Sequence, residues 1–405
     1  MLTPASKSIR YIKAAAVAGS CGLSFFLLGF FPFAARPWWA FAMFGSFVIY
    51  LNNSPGRRGI TLSLFAGALC YCRDRFLGGH FHSYTYVEYN IAVLVAYAGA
   101  GCLVALSTSS LLAKSKRARS EAADCLLSCI SLPSAVILID YVLLKPTTQL
   151  SYDRVLLACD GVFGLQPSYL VARMVQSYLP ALRTFRLVYD ALPLAIACGY
   201  VASSRVSAAR LAKSLVLAGV IGRFLHFLIP AAGPKWALSG LFPAVVPTIT
   251  ADWMRPFEGK AVFNCVPSLH LAWALLIFLQ LRRSKSTIAM VISAVFLTCT
   301  AISTLALGEH YLFDLIIALP FTLTVEALCI RSFLSDWDKR RISAALVGTA
   351  LFAGLAFLIR SGWLLHFSAP AAWVLVTAIL LLSVFFEARL VGTEKPECIQ
   401  DRCVQ

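Results

Sequence analysis

The sequence predicts an all-α, polytopic transmembrane helical bundle of about 12 spans. Of its 405 residues, 59% are hydrophobic and only 13% are charged, whereas soluble domains have about 45–50% apolar and about 25% charged residues. Apolar runs of roughly 20 residues, the length that crosses a bilayer as a helix, recur from one end of the chain to the other. The alternating pattern of transmembrane strands is absent, which argues against a β-barrel.

The apolar runs locate the spans, and the basic residues between them set the orientation. Most of the 35 Lys and Arg residues lie in every second loop and near the two termini. The positive-inside rule assigns these loops, and therefore both termini, to the cytoplasm. The net charge of +16 is thus a topology signal, and no nucleic-acid partner is predicted. The spans are expected near residues 14–34, 38–52, 60–72, 91–113, 123–144, 187–203, 211–230, 268–281, 286–305, 311–330, 342–360 and 370–388.

Two segments on the opposite, outer face do not fit an up-and-down bundle. Residues 145–186 mix apolar residues with Asp, Arg, Gly and Pro, a pattern typical of amphipathic helices that lie in the membrane interface. Residues 230–267 are rich in Pro, Gly and Trp. Irregular loops of this length are usually functional, although a simple connector is the alternative. We therefore expect an outer interfacial helical segment and a long functional loop on the same face.

Two histidines and a carboxylate collect at the outer ends of two inward-running spans. His270 opens one span and His310 opens another. Asp314 follows His310 by four residues, so both side chains lie on one helical face. A carboxylate in this place fixes the tautomer of the imidazole and raises its basicity. Helix N-termini attract anions, and ionisable groups inside a membrane are costly, so the pattern predicts a site for phosphate or another anion.

The residues around these histidines resemble two motifs of the type-2 phosphatidic acid phosphatase superfamily. Residues 267–270 read Pro-Ser-Leu-His and are similar to the motif Pro-Ser-Gly-His, with Leu269 in place of Gly. Residues 303–314 are similar to the motif Ser-Arg, five residues, His, three residues, Asp, with Thr304 in place of Arg. Pro-Ser-Leu-His is typical of the fungal inositol phosphorylceramide synthases and their bacterial relatives, so the chain looks like that inositolphosphotransferase branch. The resemblance covers about residues 150–335.

The motifs also lack arginines that the superfamily normally carries. The first motif of the superfamily is Lys, six residues, Arg-Pro, whereas Lys235 is followed at that spacing by Phe242 and Pro243. Arg grips phosphate through a bidentate fork, and a dianionic phosphate monoester needs that charge more than a monoanionic diester does. The losses favour a lipid phosphotransferase that uses a phosphodiester donor. The alternatives are a lipid phosphate phosphatase with water as acceptor and, less favoured because no internal repeat is found, a transporter.

The resemblance implies a covalent mechanism that uses neither a metal nor a cofactor. His310 would attack the donor phosphorus to form a phosphohistidine, and Asp314 would orient it. His270 would serve first as the acid and then as the base. Ser268 and helix N–H groups would bind the non-bridging oxygens. Three cations of the outer loop are candidates to replace the missing arginines, although each is equally well explained as an interface residue that contacts lipid headgroups: Lys260, Arg255 and Lys235.

The expected reaction moves a phospho-headgroup from a membrane phospholipid donor to a lipid alcohol acceptor. Inositol phosphate as the headgroup, and a sphingolipid-type acceptor, follow from the branch alone. The charge pattern places the site on the periplasmic side of a bacterial inner membrane, or in the Golgi lumen of a eukaryote. The oligomeric state is left open. Four parts are predicted: an N-terminal transmembrane extension (1–144), a six-helix phosphatase/phosphotransferase core (145–335), two C-terminal transmembrane helices (336–390) and a cytoplasmic tail (391–405).

Overall fold

The computed structural model describes residues 37–76, 87–113, 115–143, 147–249, 255–284, 286–330 and 338–391. Helices dominate these residues, which confirms the prediction of an all-α polytopic membrane protein. The longer helices are α1 (Pro37–Asn52), α2 (Arg57–Phe76), α3 (Val87–Leu112), α4 (Lys116–Leu143), α5 (Asp153–Gly161), α6 (Pro167–Gln176), α7 (Leu179–Asp190), α8 (Leu192–Val201), α9 (Arg205–Leu225), α10 (Leu269–Arg282), α11 (Thr287–Ala306), α12 (Leu312–Cys329), α13 (Lys339–Ser361) and α14 (Ala369–Val391). Two single-turn helices, Pro234–Ala237 and Trp363–His366, lie between them.

Every predicted span except the first overlaps one of these helices. Among the described residues, α3, α11, α12, α13 and α14 are long and apolar enough to cross a membrane. Helices α7 and α8 are bent by 57° relative to each other and would add a sixth span if the pair crosses as one. The other predicted spans correspond to helices that are shorter or more polar, so about 12 spans remains a prediction. The first predicted span, 14–34, lies outside the described residues.

The chain forms two compact units. One unit comprises residues 1–143, 186–212 and 279–293, and the other comprises residues 144–185, 213–278 and 294–405. Within the second unit, α13 and α14 pack against α12. The two C-terminal helices therefore share a compact unit with the residues of the predicted catalytic core.

A small antiparallel sheet was not expected from the sequence. Strand β1 (Thr147–Ser151) pairs with β2 (Phe257–Ala261), with Thr147 opposite Ala261 and Ser151 opposite Phe257. The sheet joins the beginning of the segment 145–186 to the end of the loop 230–267. It follows that these two outer segments form one connected structure.

Helix α5 also differs from the sequence expectation. Residues 145–186 were expected to lie in the membrane interface, yet Val155, Leu156 and Leu157 of α5 are at most 2% exposed and belong to the hydrophobic core of the second unit. Phe163, which follows α5, stacks on Phe313 of α12 with ring centroids 5.3 Å apart. Burial of such side chains removes apolar area from water. Helix α5 is therefore a structural element of the core of this unit.

Helix α12 is the most buried of the candidate spans in the second unit. In its most apolar window 78% of the residues are buried, compared with 28% for α13 and 17% for α14. All three helices have similar hydropathy, between 1.9 and 2.3. The exposed apolar faces of α13 and α14 are suited to contact with lipid, whereas α12 is surrounded by protein. Asp314 lies in the first turn of α12, and His310 lies two residues before the helix begins.

Candidate active site

His310 and Asp314 form a buried pair at the start of α12. Nδ1 of His310 lies 3.4 Å from Oδ2 of Asp314, and the two side chains are 3% and 0% exposed. The same Oδ2 accepts a hydrogen bond of 2.9 Å from the backbone N–H of Tyr311, which holds the carboxylate within the first helical turn. Such contacts are often long in the absence of substrate and shorten in the reactive complex. This arrangement orients the His310 ring through Nδ1.

His270 lies next to this pair, in the first turn of α10. The ring centroids of His270 and His310 are 6.0 Å apart, and the ring planes are inclined by 62°. His270 is only 8% exposed. Two imidazoles at this separation are close enough for one reacting group to contact both. The structure therefore brings together the three residues that the sequence predicted to be catalytic.

Ser268 connects the two helix starts that carry these residues. Its backbone N–H donates to the backbone carbonyl of Asp314 at 3.3 Å. Its hydroxyl accepts from the N–H of Leu271 at 3.4 Å and thereby caps the N-terminus of α10. This geometry holds the start of α10 against the first turn of α12, and the hydroxyl is fully buried. The predicted contact of Ser268 with substrate oxygens stays a prediction.

Asp160, at the end of α5, accepts hydrogen bonds from the first turn of α12. The N–H groups of Leu312 and Phe313 donate to its two carboxylate oxygens at 2.9 and 3.2 Å. The hydroxyl of Ser168 donates to Oδ2 of Asp160 at 3.3 Å, and it also lies 3.4 Å from the carbonyl of His310. The first N–H groups of a helix have no partner within the helix. Asp160 supplies those partners and so fixes the segment that presents His310.

Asp153, at the start of α5, has a similar role on the irregular loop. Its carboxylate accepts from the N–H groups of Ala232 and Gly233, the shortest of these bonds being 2.8 Å. The hydroxyls of Ser151 and Tyr311 donate to it at 2.6 and 3.0 Å. Because Tyr311 adjoins His310, Asp153 links the loop to the catalytic segment. No local sequence pattern indicates this role for either carboxylate of α5.

Burial controls the ionisation of both α5 carboxylates. Desolvation raises the pKa of Asp160 to about 7, although the backbone donors at Leu312 and Phe313 act in the opposite direction. Desolvation likewise raises the pKa of Asp153 to about 6 against the effect of its four hydrogen-bond donors. Removal from water disfavours the charged form of a carboxyl group. Both residues therefore titrate well above the usual range of an aspartate.

Two glycines allow the loop to approach the catalytic segment closely. Gly233 and Gly308 have φ angles of +92° and +69°, a region that favours glycine. A Cβ on Gly233 would meet the carbonyl oxygen of Glu309, and one on Gly308 would meet the ring of Phe242. The N–H of Lys235 also donates to the carbonyl of Gly308 at 3.0 Å. The backbone of the loop therefore packs directly against the residues just before His310.

Lys235 is engaged by a neighbouring carboxylate. Its Nζ lies 3.0 Å from Oε1 of Glu309 and 4.6 Å from the ring centre of Trp236. The indole N–H of Trp236 donates to the other oxygen of Glu309 at 2.9 Å. A phosphate that binds Lys235 would therefore have to compete with Glu309 for it.

The other two predicted cations lie on the strand side of the loop. Arg255 is exposed just before β2, and Lys260 lies on β2, where its register partner is Thr148. No contact between the described side chain of Arg255 and the catalytic residues is observed. Both remain predictions as substrate-binding residues.

Arg223 and His226 hold the segment that leads to Ser268. A guanidinium nitrogen of Arg223 donates to the carbonyl of Phe263 at 3.1 Å, and Nε2 of His226 lies 3.2 Å from the carbonyl of Pro267. Both residues come from the end of α9, and both are at least nine-tenths buried. Gly222 of α9 also faces the side chain of Leu269, where a Cβ would collide with it. The end of α9 therefore positions the start of α10.

Residues 154–328 match the family model whose description is PAP2 superfamily, the type-2 phosphatidic acid phosphatases. This segment is similar to the domains of that superfamily. It extends from α5 to α12 and contains both histidine motifs. The protein is accordingly a membrane-embedded phosphatase or phosphotransferase enzyme. No curated protein and no solved structure matches the chain.

Proposed function

We propose that the PAP2 domain transfers a phospho-headgroup from a membrane phospholipid to a lipid alcohol through a phosphohistidine at His310. The observation that carries the proposal is the buried pair of His310 and Asp314 with the ring of His270 6.0 Å away. A nucleophile, the group that orients it and a second acid–base group are the parts that covalent catalysis requires. All three lie within one compact unit.

In the first half-reaction, Nε2 of His310 attacks the donor phosphorus. The contact with Asp314 keeps the proton on Nδ1, which leaves the lone pair of Nε2 available. The bond from phosphorus to the glycerol oxygen breaks, and His270 gives its proton to that oxygen. The products are diacylglycerol and a phosphohistidine that carries the headgroup. Asp314 stabilises the positive charge that forms on the ring.

In the second half-reaction, the acceptor alcohol takes the place of diacylglycerol. Neutral His270 removes the proton of the acceptor hydroxyl as the oxygen attacks phosphorus. The phosphorus–nitrogen bond breaks and returns His310 to its neutral form, while His270 is again protonated. Protons and charges balance over the two steps, so the cycle needs no further reactant.

The charges around the site support a phosphodiester donor. Thr304 stands where the superfamily has Arg, is fully buried, and donates its hydroxyl proton within its own helix to Ala301. Lys235 is paired with Glu309, and Arg223 donates to a backbone carbonyl. Such surroundings suit a monoanionic diester better than a dianionic monoester. We therefore favour a transferase over a lipid phosphate phosphatase.

The inositolphosphotransferase branch is the finer part of the proposal. It is supported by the sequence Pro-Ser-Leu-His at 267–270 and by the buried position of Leu269, which is 5% exposed beside His270. An apolar side chain in place of Gly reduces the space for water near the second histidine. We propose phosphatidylinositol as the donor and a ceramide-like alcohol as the acceptor.

The proposed site faces the outer side of the membrane, which is the periplasm for a bacterial inner membrane. The proposal is supported by the excess of Lys and Arg in the alternate loops. In a background without native cysteines, Cys at position 239 should react with an impermeant thiol reagent applied from outside. Cys at position 286 should react only after permeabilisation, and the reverse pattern would place the site in the cytoplasm.

The decisive test is the dependence of donor breakdown on a lipid alcohol. Purified protein in mixed micelles with labelled phosphatidylinositol should form a new phospholipid when ceramide is added, and breakdown should accelerate. His310→Ala should abolish this turnover, whereas His366→Ala, which removes an exposed histidine, should retain it. Equal breakdown without alcohol, with release of water-soluble headgroup phosphate, would show that water is the acceptor and would reject the transferase.

A further inference from the structure

Cys265 lies beside the catalytic pair and has no part in the proposed mechanism. It is fully buried, its thiol contacts the carbonyl of Glu309 at 3.0 Å, and its backbone N–H donates to Ala231 at 3.1 Å. Cys265 Sγ, a ring nitrogen of His310 and a carboxylate oxygen of Asp314 all lie within 4.8 Å of one another. A thiol, an imidazole and a carboxylate are thus gathered at one point in the core.

Two atoms of this cluster lack hydrogen-bond partners among the described residues. They are Nδ1 of His310 and Oδ1 of Asp314, and both side chains are more than nine-tenths buried. Buried polar atoms are normally satisfied, so each exception needs an explanation. Nδ1 of His310 already faces the carboxylate of Asp314 at 3.4 Å. Oδ1 of Asp314 is available as a ligand without the loss of an existing hydrogen bond, and Nδ1 of His310 would give up its proton and its 3.4 Å contact with Asp314.

We propose that Cys265, His310 and Asp314 form an inhibitory site for a zinc ion. Thiolate, imidazole and carboxylate are the three ligand types that Zn²⁺ takes in proteins, and hard cations such as Mg²⁺ avoid thiolate. With Zn–ligand distances of about 2.0–2.3 Å, ligand atoms around one ion are roughly 3–4 Å apart. Small side-chain movements would bring the three atoms to that separation, and a water molecule would fill the fourth position.

Zinc at this site would stop the reaction rather than assist it. A neutral imidazole has one lone pair, and coordination at Nδ1 places the remaining ring proton on Nε2. Nε2 of His310 would then lack the lone pair that attacks phosphorus. The inhibition rests on the proposed function, whereas the binding of the metal does not.

The binding test uses Co²⁺ as a spectroscopic probe on the purified, metal-stripped protein. A thiolate ligand gives Co²⁺ a near-ultraviolet sulfur-to-metal charge-transfer band, which we expect at one equivalent and with competition by Zn²⁺. Cys265→Ser should remove the band, and the matched variant Cys299→Ser, which alters a half-buried cysteine of α11, should retain it. A band that survives in Cys265→Ser, or its absence from the wild type, would overturn the proposal.

The activity test uses the same variants. Zn²⁺ should inhibit donor breakdown by the wild type and Cys299→Ser at concentrations at least about 10-fold lower than for Cys265→Ser, since even supporting residues change metal affinity 10–100-fold. If Cys265→Ser does not fold, as judged by gel filtration, Cys265→Ala and Asp314→Asn take its place in the cobalt titration. A cobalt band that depends on Cys265 in a protein without transferase activity would keep the metal site and reject the proposed function. Equal inhibition of all variants would remove the inhibitory role.

Discussion

Asp314 and Asp160 are both buried carboxylates at the start of α12, but they differ in what occupies their oxygens. Asp160 accepts two backbone N–H donors and the hydroxyl of Ser168. Asp314 has one oxygen held by the N–H of Tyr311 and 3.4 Å from His310, while its other oxygen lacks a hydrogen-bond partner among the described residues. A carboxylate whose two oxygens both accept hydrogen bonds fixes the backbone. A carboxylate with an oxygen that lacks a donor, next to an imidazole, is available for chemistry.

This comparison predicts opposite effects for the two residues. Mutation of Asp314 should remove activity and leave the fold intact, and mutation of Asp160 should first destabilise the fold. Asp153 belongs with Asp160, because its four donors come from the loop, from Ser151 and from Tyr311.

The largest effect is expected for Asp314→Asn. An amide in this position no longer holds the proton on Nδ1 of His310, so the ring adopts the wrong tautomer, a change that costs about 10⁴-fold in the serine proteases. We expect turnover to fall about 10²–10⁴-fold, while the free energy of unfolding changes by less than about 1 kcal/mol. Initial rates and reversible unfolding in mixed micelles measure both quantities. A variant with turnover within tenfold of the wild type would contradict the assigned role.

The next largest effect is expected for Asp160→Ala. The variant leaves the N–H groups of Leu312 and Phe313 buried without an acceptor, and each such group costs about 1–3 kcal/mol. We expect the free energy of unfolding to fall by about 2–5 kcal/mol in the same assay. Asp160→Asn keeps one acceptor oxygen and should lose less. If Asp160→Ala is as stable as the wild type, these hydrogen bonds do not hold α12 in place.

The sequence predicted the reactive carboxylate but not the structural ones. Asp314 follows His310 by four residues, an interval that predicts neighbouring side chains on a helix, and the two side chains do meet although His310 lies two residues before α12 begins. Asp160 meets Leu312 only through the tertiary fold, since 152 residues separate them. No local periodicity encodes such a contact, and the charges of residues 145–186 instead suggested an interfacial helix.

For the fold as well, local features could be predicted from the sequence, whereas contacts between distant residues could not. Each predicted span within the described residues overlaps a helix because apolar runs of bilayer length determine helices. The strands β1 and β2 contain only five residues each and pair across more than 100 positions, so the chain shows no strand alternation. Hydropathy also does not reveal that α12 is central and α14 peripheral, because their values are 1.9 and 2.3.

A smaller effect should appear in the pH dependence of stability. Desolvation raises the pKa of Asp160 to about 7 and that of Asp153 to about 6, so between about pH 4 and 7 the folded state holds protons that the unfolded chain has lost. Stability should therefore decrease as the pH rises through this window, by at most about 1.4 kcal/mol per pH unit for each group. Above about pH 7 this contribution to the slope ends.

Asp160→Asn isolates that contribution. Because the amide does not titrate, the difference in unfolding free energy between wild type and variant should change in favour of the variant from pH 5 to pH 8. A difference that is constant with pH would show that the backbone donors balance desolvation at Asp160, and a change in favour of the wild type would show that they outweigh it.

The smallest effect is expected at Glu309, the carboxylate that directly precedes His310, and at its partner Lys235. This pair is 3.0 Å apart and partly exposed, with side chains 39% and 17% exposed for Lys235 and Glu309, and exposed ion pairs contribute about 0.2–1 kcal/mol. If the pair only ties the loop to the segment before His310, then Lys235→Met and Glu309→Gln should cause the same small loss of stability. The double variant should lose little more, because the two changes remove one interaction.

KM for the donor should change by less than about threefold in both single variants, as it should in the control Lys339→Met at the exposed start of α13. A tenfold increase of KM in Lys235→Met alone, with a decrease in Glu309→Gln, would instead show that Lys235 binds the phosphate and that Glu309 competes for it.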